Sequence, residues 1–263
     1  MRATATHQSL KRTSRWAGVL YALIFLLAPL GFIVGKMPVY APGDPATTMQ
    51  QLLDNELLFR LGMLAEVGVV VVEIVLSALL YALFRPVSRS LALGAALTRT
   101  AEAVIQALNL APSMVALAAA TGTGVYADMS AQARATVVLG SMDAYQDIVN
   151  IWGIPFALHV LFLGLLVLRS NLMPRIIGWL LVAASGGYFA DSLAAIVWPA
   201  ASGVAQTLVL VLAIPAELAF AVWLVVKGVR ADRWHTLMRD DAALPAAPGP
   251  AVSPQRAAEA KAR

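Results

Sequence analysis

Residues 61–84, LGMLAEVGVVVVEIVLSALLYALF, run for 24 positions without a basic residue or a proline, yet they hold Glu66 and Glu73. The run exceeds the roughly 20 apolar residues that carry a helix across a bilayer. An ionised side chain at the bilayer centre costs about 2.5–3.5 kcal/mol on insertion scales, so such residues turn inward and find partners. The two acids are seven apart, which places them on nearly one side of a helix, and Ser77 and Tyr81 extend that face. The stretch therefore reads as a membrane helix with lipid on one side and a polar interior on the other. Such a helix needs companions that carry the rest of that interior.

Five more segments have the length and composition of spans: 16–34, 91–118, 149–168, 176–197 and 204–226. The expected fold is all-α: a polytopic membrane protein built as a six-transmembrane-helix bundle over 16–230. A basic cytoplasmic N-terminus (1–15) precedes the bundle, and a disordered Ala/Pro-rich cytoplasmic tail (231–263) follows it. Composition agrees. The 263 residues are 60% apolar and 13% charged, against about 45–50% and about 25% in soluble domains.

Basic residues set the orientation. Arg2, Lys11, Arg12 and Arg15 precede the first span; Arg85 and Arg89 lie between the second and third. Arg169 and Arg175 join the fourth and fifth, and Lys227, Arg230, Arg233 and Arg239 follow the sixth. The alternate connections hold Lys36, Arg60 and Arg134 against Asp44, Asp54, Glu56, Asp128, Asp143 and Asp147. Both termini are thus expected in the cytoplasm of a bacterial cell, with the chain multi-pass in the inner membrane. The net charge of +4 follows from topology, and no nucleic-acid partner is expected. The first apolar run exceeds a signal-peptide core of about 7–15 residues and reads as a span.

The third span carries the densest polar stripe: Arg99, Glu102, Gln106 and Asn109, at spacings of three, four and three. The fifth adds Tyr188 and Asp191, and the sixth adds Glu217. At about 1.5 Å per residue, Glu73, Arg99, Glu102, His159 and Glu217 all fall roughly 14–18 Å from the cytoplasmic end of their spans. Glu66, Asn109 and Asp191 lie deeper, at about 24–28 Å, with Asp147 and Asn150 near that level. Several carboxyls around one arginine cannot all be charged cheaply, so at least one is expected to hold a proton near neutral pH. Glu73, Glu102 and Glu217 are accordingly the candidate proton carriers or general acids, tuned by Arg99. Glu66, Gln106, Asn109, His159, Tyr188 and Asp191 are the candidate substrate-binding residues.

Plainer roles exist for several of these residues. Arg99 and Glu102 are spaced as a structural ion pair, and Arg99 is also able to snorkel. His159, four residues after Pro155, is placed to bond a carbonyl which that proline frees. Trp16, Trp152, Trp179 and Trp198 suit interfacial belts. Gly186 and Gly187 suit close helix packing, and Pro112, Pro155 and Pro215 suit kinks.

Without cysteine, and with only His7, His159 and His235, the chain offers no metal centre, and no cofactor is expected. The phosphate-binding pattern GxxxxGK[ST] is absent, which removes ATP-driven transport by this chain.

The stretch LHVLFLGLLVLRSNLMPRIIGWLLVAASGGYFADSLAAIVWP resembles the signature region of a bacterial domain-of-unknown-function family, number 4386. APGDPATTMQQLLDNELLFRLGML, LLYALFRPVSRSLALGAALTRTAEAVI and AELAFAVWLVVKGV resemble it too. Arg99 and Glu102 match the family's Arg-x-x-Glu, His159 its Leu-His, Pro174-Arg175 its Pro-Arg, and Tyr188 with Asp191 its Tyr-x-x-Asp. The resemblance covers about residues 15–230. It implies a six-span bacterial membrane protein and brings no activity with it.

The leading expectation is proton-linked movement of a small cationic or amphipathic solute. An intramembrane enzyme acting by carboxylate acid–base chemistry on an isoprenoid-like lipophilic substrate is the alternative, with Tyr81, Phe156 and Tyr188 lining its pocket. A non-catalytic membrane partner or sensor subunit is a third. The lipid bilayer and such a substrate are the expected partners, and six spans are few for a transporter standing alone, which favours a homo-oligomer or the enzyme.

Overall fold

A computed structural model describes residues 2–243, and all regular structure among them is helical. The elements are α1 (Arg2–Pro29), α2 (Pro45–Asp54), α3 (Glu56–Phe84), α4 (Arg89–Leu108), α5 (Leu110–Thr121), α6 (Ala131–Ser170), α7 (Arg175–Val197), α8 (Ser202–Val226) and α9 (Ala231–Ala243). Among the described residues, six stretches are long and apolar enough to cross a membrane: Gln8–Val39, Glu56–Phe84, Arg89–Thr121, Ala131–Ser170, Arg175–Val197 and Pro199–Val226. Each contains one of the six expected spans.

Local chemistry fixes the ends. Asp44 caps α2 by accepting from the Thr47 N–H (3.0 Å), and Ser130 caps α6 by accepting from the Ala133 N–H (3.2 Å). From this cap the helix runs without interruption through the fourth span, giving a single 40-residue α6. Left-handed residues stop two helices: Gly122 after α5 (φ 63°) and Asn171 after α6 (φ 54°). The third span divides at Asn109 into α4 and α5. Pro112 has no N–H to offer the Leu108 carbonyl, which accounts for the break there.

The spans close into a ring. α1 packs on α3, α3 on α4, α4 on α6, α6 on α7, α7 on α8, and α8 back on α1. Outward-facing Leu57, Leu64, Leu97, Val204 and Val222 are exposed, as lipid-facing side chains are.

Two expectations fail, one just past the first span and one just past the sixth. Past Pro29 the first span continues as a π-helical turn, Leu30–Val34, in which the Gly35 N–H donates to the Leu30 carbonyl (3.1 Å). That turn carries Lys36 inward, so Lys36 is 2% exposed instead of lying in an external loop. The segment expected to be disordered from 231 begins with α9. There Trp234 donates to the Leu83 carbonyl (2.9 Å) and Arg233 to the Ser170 carbonyl (3.2 Å). Trp234 and Leu237 pack against the core, an anchorage that the Ala/Pro-rich composition beyond them hides. Residues 244–263, the rest of the expected tail, lie outside the described residues.

Candidate functional site

The ring encloses a cavity of about 430 Å³ lined from all six spans. Its charged and phenolic groups come from Tyr21, Glu66, Glu73, Arg99, Tyr145, Tyr188 and Glu217, and Gln106 adds an amide. Trp152, Phe156, Phe25 and Phe32 supply aromatic walls.

At one end Arg99 is 1% exposed and therefore does not snorkel. Its Nη2 lies 3.9 Å from a Glu73 oxygen and its Nη1 lies 3.6 Å from a Glu102 oxygen. The guanidinium carbon also sits 5.1 Å from the Tyr21 ring centroid and 5.9 Å from that of Phe156. Beside this cluster the Glu217 carboxylate accepts two phenolic hydrogen bonds, from Tyr21 (2.8 Å) and from Tyr188 (2.7 Å). Glu102 lies behind Arg99 and not on the cavity wall.

At the other end Tyr145 donates to Glu66 (2.6 Å), and the Lys36 ammonium lies 3.8 Å from the second Glu66 oxygen. Glycines allow this approach. A methyl group on Gly35 would come within 2.7 Å of the Gly62 Cα, and one on Gly31 within 2.8 Å of the Glu66 side chain. Gly31 and Gly35 thus form a small-xxx-small face of the first span that lets α3 come close.

Among the described residues, the fully sequestered charged side chains are four carboxyls (Glu66, Glu73, Glu102, Glu217) and two cations (Lys36, Arg99). Ionised together they would leave two unbalanced negative charges in a low-dielectric interior, which is costly. No cluster of three or more His, Asp or Glu side chains suited to a metal ion occurs among the described residues.

Glu73, Arg99, Glu102 and Glu217 meet as one group, joined by Tyr188. Glu66 and Gln106 line the same cavity. His159 is buried in the ring, but its Nδ1 pairs with the Ala95 carbonyl on α4 (2.8 Å) and not with a carbonyl freed by Pro155. Asn109 is buried one turn below Gln106, off the cavity wall, and the Asn109 amide and Ser113 hydroxyl have no hydrogen-bond partner. Asp191 is half-buried and outside the cavity, and Asp147 is exposed. Tyr81 packs into the apolar core away from the cavity, whereas Phe156 lines it. Trp152 is no belt residue. It stacks on Phe156 with centroids 4.7 Å apart and faces the cavity.

Sequence reasoning missed Tyr21, Lys36, Tyr145 and Trp152. A stripe on α6 points to two of them: Tyr145, Trp152, Phe156 and His159 recur at spacings of seven, four and three, one helix face. Tyr21, Phe25 and Phe32 repeat the pattern on the first span.

The comparisons with known proteins give a family and no activity. The family model described as a domain of unknown function, DUF4386, matches residues 16–228. An uncharacterized protein of the archaeon Archaeoglobus fulgidus is 28% identical over 160 residues, covering 61% of this chain and 79% of the relative. No solved structure matches the chain.

Proposed function

The chain belongs to the DUF4386 family, whose description carries no activity, and from the site itself we propose proton-linked transport of a small cationic, amphipathic solute. One observation carries this reading: the ring buries four carboxyls with two cations, and three of those carboxyls, Glu66, Glu73 and Glu217, line an aromatic-walled cavity together with Arg99. Neutrality in that interior calls for protons on two carboxyls or for a cation in their place, and exchange of one for the other couples solute to proton. The cavity lies within the roughly 300–1,000 Å³ range of small-molecule sites. Aromatic faces at Tyr21, Trp152 and Phe156 suit a cation that has shed its water. Glu217, accepting from two tyrosines, and Glu73, beside Arg99, are the exchange sites. Arg99 keeps a fixed positive charge among them.

The test is flux into proteoliposomes of protein reconstituted under an imposed pH gradient, with a panel of amphiphilic amines. Uptake that a protonophore collapses, and that Glu217→Gln lowers at least 10-fold, is the expected result. Absence of gradient-driven flux for every amine overturns the reading.

A second reading has its own support. Ala28, Pro29, Ile33 and Ile214 line the cavity and are exposed, so its mouth faces the region that lipid fills. A lipophilic substrate entering sideways would meet Glu217 as a general acid, in an intramembrane enzyme. Mass spectrometry of lipid extracts incubated with the protein decides it: a changed lipid mass supports the enzyme, and an unchanged profile removes it.

A further inference from the structure

Lys36, buried behind the cavity wall against Glu66 and Tyr145, is the unusual group here. Its side chain is 2% exposed, yet its ammonium donates no hydrogen bond, and the nearest carboxylate oxygen, on Glu66, stands 3.8 Å away. A buried ammonium with all of its donors unmet is expensive, and a tight pair of about 2.8 Å is the usual remedy. What surrounds it here is a cage. The Phe59 ring centroid lies 4.0 Å from Nζ, the Tyr145 centroid 5.4 Å, and the Tyr145 hydroxyl holds Glu66 in place at 2.6 Å.

Aromatic faces attract ammonium groups of ligands, and the Glu66 carboxylate beside them supplies an acceptor that a mobile amine can approach more closely than the tethered Lys36 does. The lysine reaches this cage from the end of a π-helical turn that approaches α3 closely at Gly31 and Gly35. Glu66 and Tyr145 both line the cavity that also holds Glu73 and Glu217.

We propose that Phe59, Glu66 and Tyr145 form an ammonium-binding subsite that adjoins the cavity through Glu66 and Tyr145, that Lys36 fills it as a tethered occupant, and that an alkylammonium group of the solute displaces Lys36 in passage. The proposal rests on the reading of the solute as cationic and adds to it the class, a primary or secondary alkylamine, and the place where its head group sits. Loose pairing of Lys36 is what displacement requires. A lysine locked by short hydrogen bonds would compete too well with a free amine.

Chemical rescue tests it. Lys36→Ala empties the cage, and its melting temperature in mild detergent is followed while n-butylammonium is added. The variant is expected to melt below wild type and to regain about 3–6 °C with saturating amine, while wild type moves by less than about 1 °C. The uncharged 1-butanol is expected to restore nothing, and Glu66→Gln placed in the same variant is expected to abolish the rescue. Equal rescue by the alcohol would show apolar filling only and overturn the proposal, as would no rescue by the amine.

Should Lys36→Ala fail to fold, Lys36→Cys serves. Reaction with an aminoethyl thiosulfonate rebuilds an ammonium on the chain, whereas the methyl reagent does not. Higher stability of the aminoethyl adduct supports the subsite, and equal stability of the two adducts overturns it. These readouts need no transport. Rescue without flux refutes transport and leaves the subsite; flux without rescue refutes the subsite alone.

Discussion

The Arg99 guanidinium is the hinge of the site's electrostatics, because it stands between Glu73 and Glu102 with almost no exposure. Removing one member of a buried charge group leaves the others uncompensated, which costs about 3–5 kcal/mol. Arg99→Met is therefore expected to lose roughly that much in unfolding measurements in detergent, and Arg99→Met with Glu102→Gln should recover part of it. A single variant within about 1 kcal/mol of wild type would show that the carboxyls already carry protons and need no partner. The polar side chains that matter most here were the most legible in the sequence. Lipid rejects charge so strongly that Glu73, Arg99, Glu102 and Glu217 had to point inward whatever the helix order. Tyr21 and Tyr145 escaped notice, and Trp152 read as a belt residue, because lipid tolerates aromatic side chains, and burying one therefore leaves no conflict in the sequence. Lys36 escaped because its position beyond an apolar run looks the same for a loop residue and for one that a π turn redirects.

At the scale of elements, the seam between the first span and α3 depends on missing side chains. Gly35→Ala would bring a methyl group within 2.7 Å of the Gly62 Cα, backbone that cannot swing aside. Overpacking of this kind costs about 1–3 kcal/mol, and a lowered melting temperature in detergent is the expected reading. Gly186→Ala is the control. Nothing lies within 4 Å of the added methyl, and replacing glycine by alanine inside a helix gains about 0.5–1 kcal/mol. Of the two neighbouring glycines taken together as packing residues, only Gly187 approaches a partner, the Leu208 backbone at 3.5 Å; sequence spacing could not tell them apart.

The loop after the first span is tied to α6 by Tyr40, whose hydroxyl donates to Asp143 (2.6 Å). Burial first, then this hydrogen bond and the charges of Asp143 and Asp147, push the phenol up to about 12. A folded value above the ordinary value of about 10 means that the contribution is complete below that pH and is lost as pH rises through the folded value. Unfolding followed from pH 9 to pH 12 should thus show the wild-type advantage over Tyr40→Phe shrinking near the top of that range. A constant difference would mean that the bond contributes nothing.

For the molecule as a whole, six crossings put both ends of the described chain on one face. The contacts of α9 show that face directly: it meets the carbonyls of Leu83 and Ser170, while the Arg230 N–H bonds Leu172 and the Val229 N–H approaches Ser14. Arg85, Arg89, Arg169, Arg175, Lys227 and Arg230 gather there. The ring order itself was not legible, because apolar faces of equal greasiness do not encode which neighbour they meet; the packing of small residues decides that. Which face looks into the cell is set by the excess of basic residues, and the lack of native cysteine makes it measurable. Single cysteines at the exposed positions Ser90 and Asp232 report on the basic face, and those at Asp54 and Asp128 on the opposite one. In intact cells a membrane-impermeant maleimide should label the 54 and 128 variants and spare the 90 and 232 variants until the membrane is opened. The reverse pattern would invert the protein in the membrane and turn the Lys36 end of the cavity toward the cytoplasm. Labelling of 54 and 90 from the same side would deny that α3 crosses at all, and the ring with its enclosed carboxyls could not then exist in a bilayer.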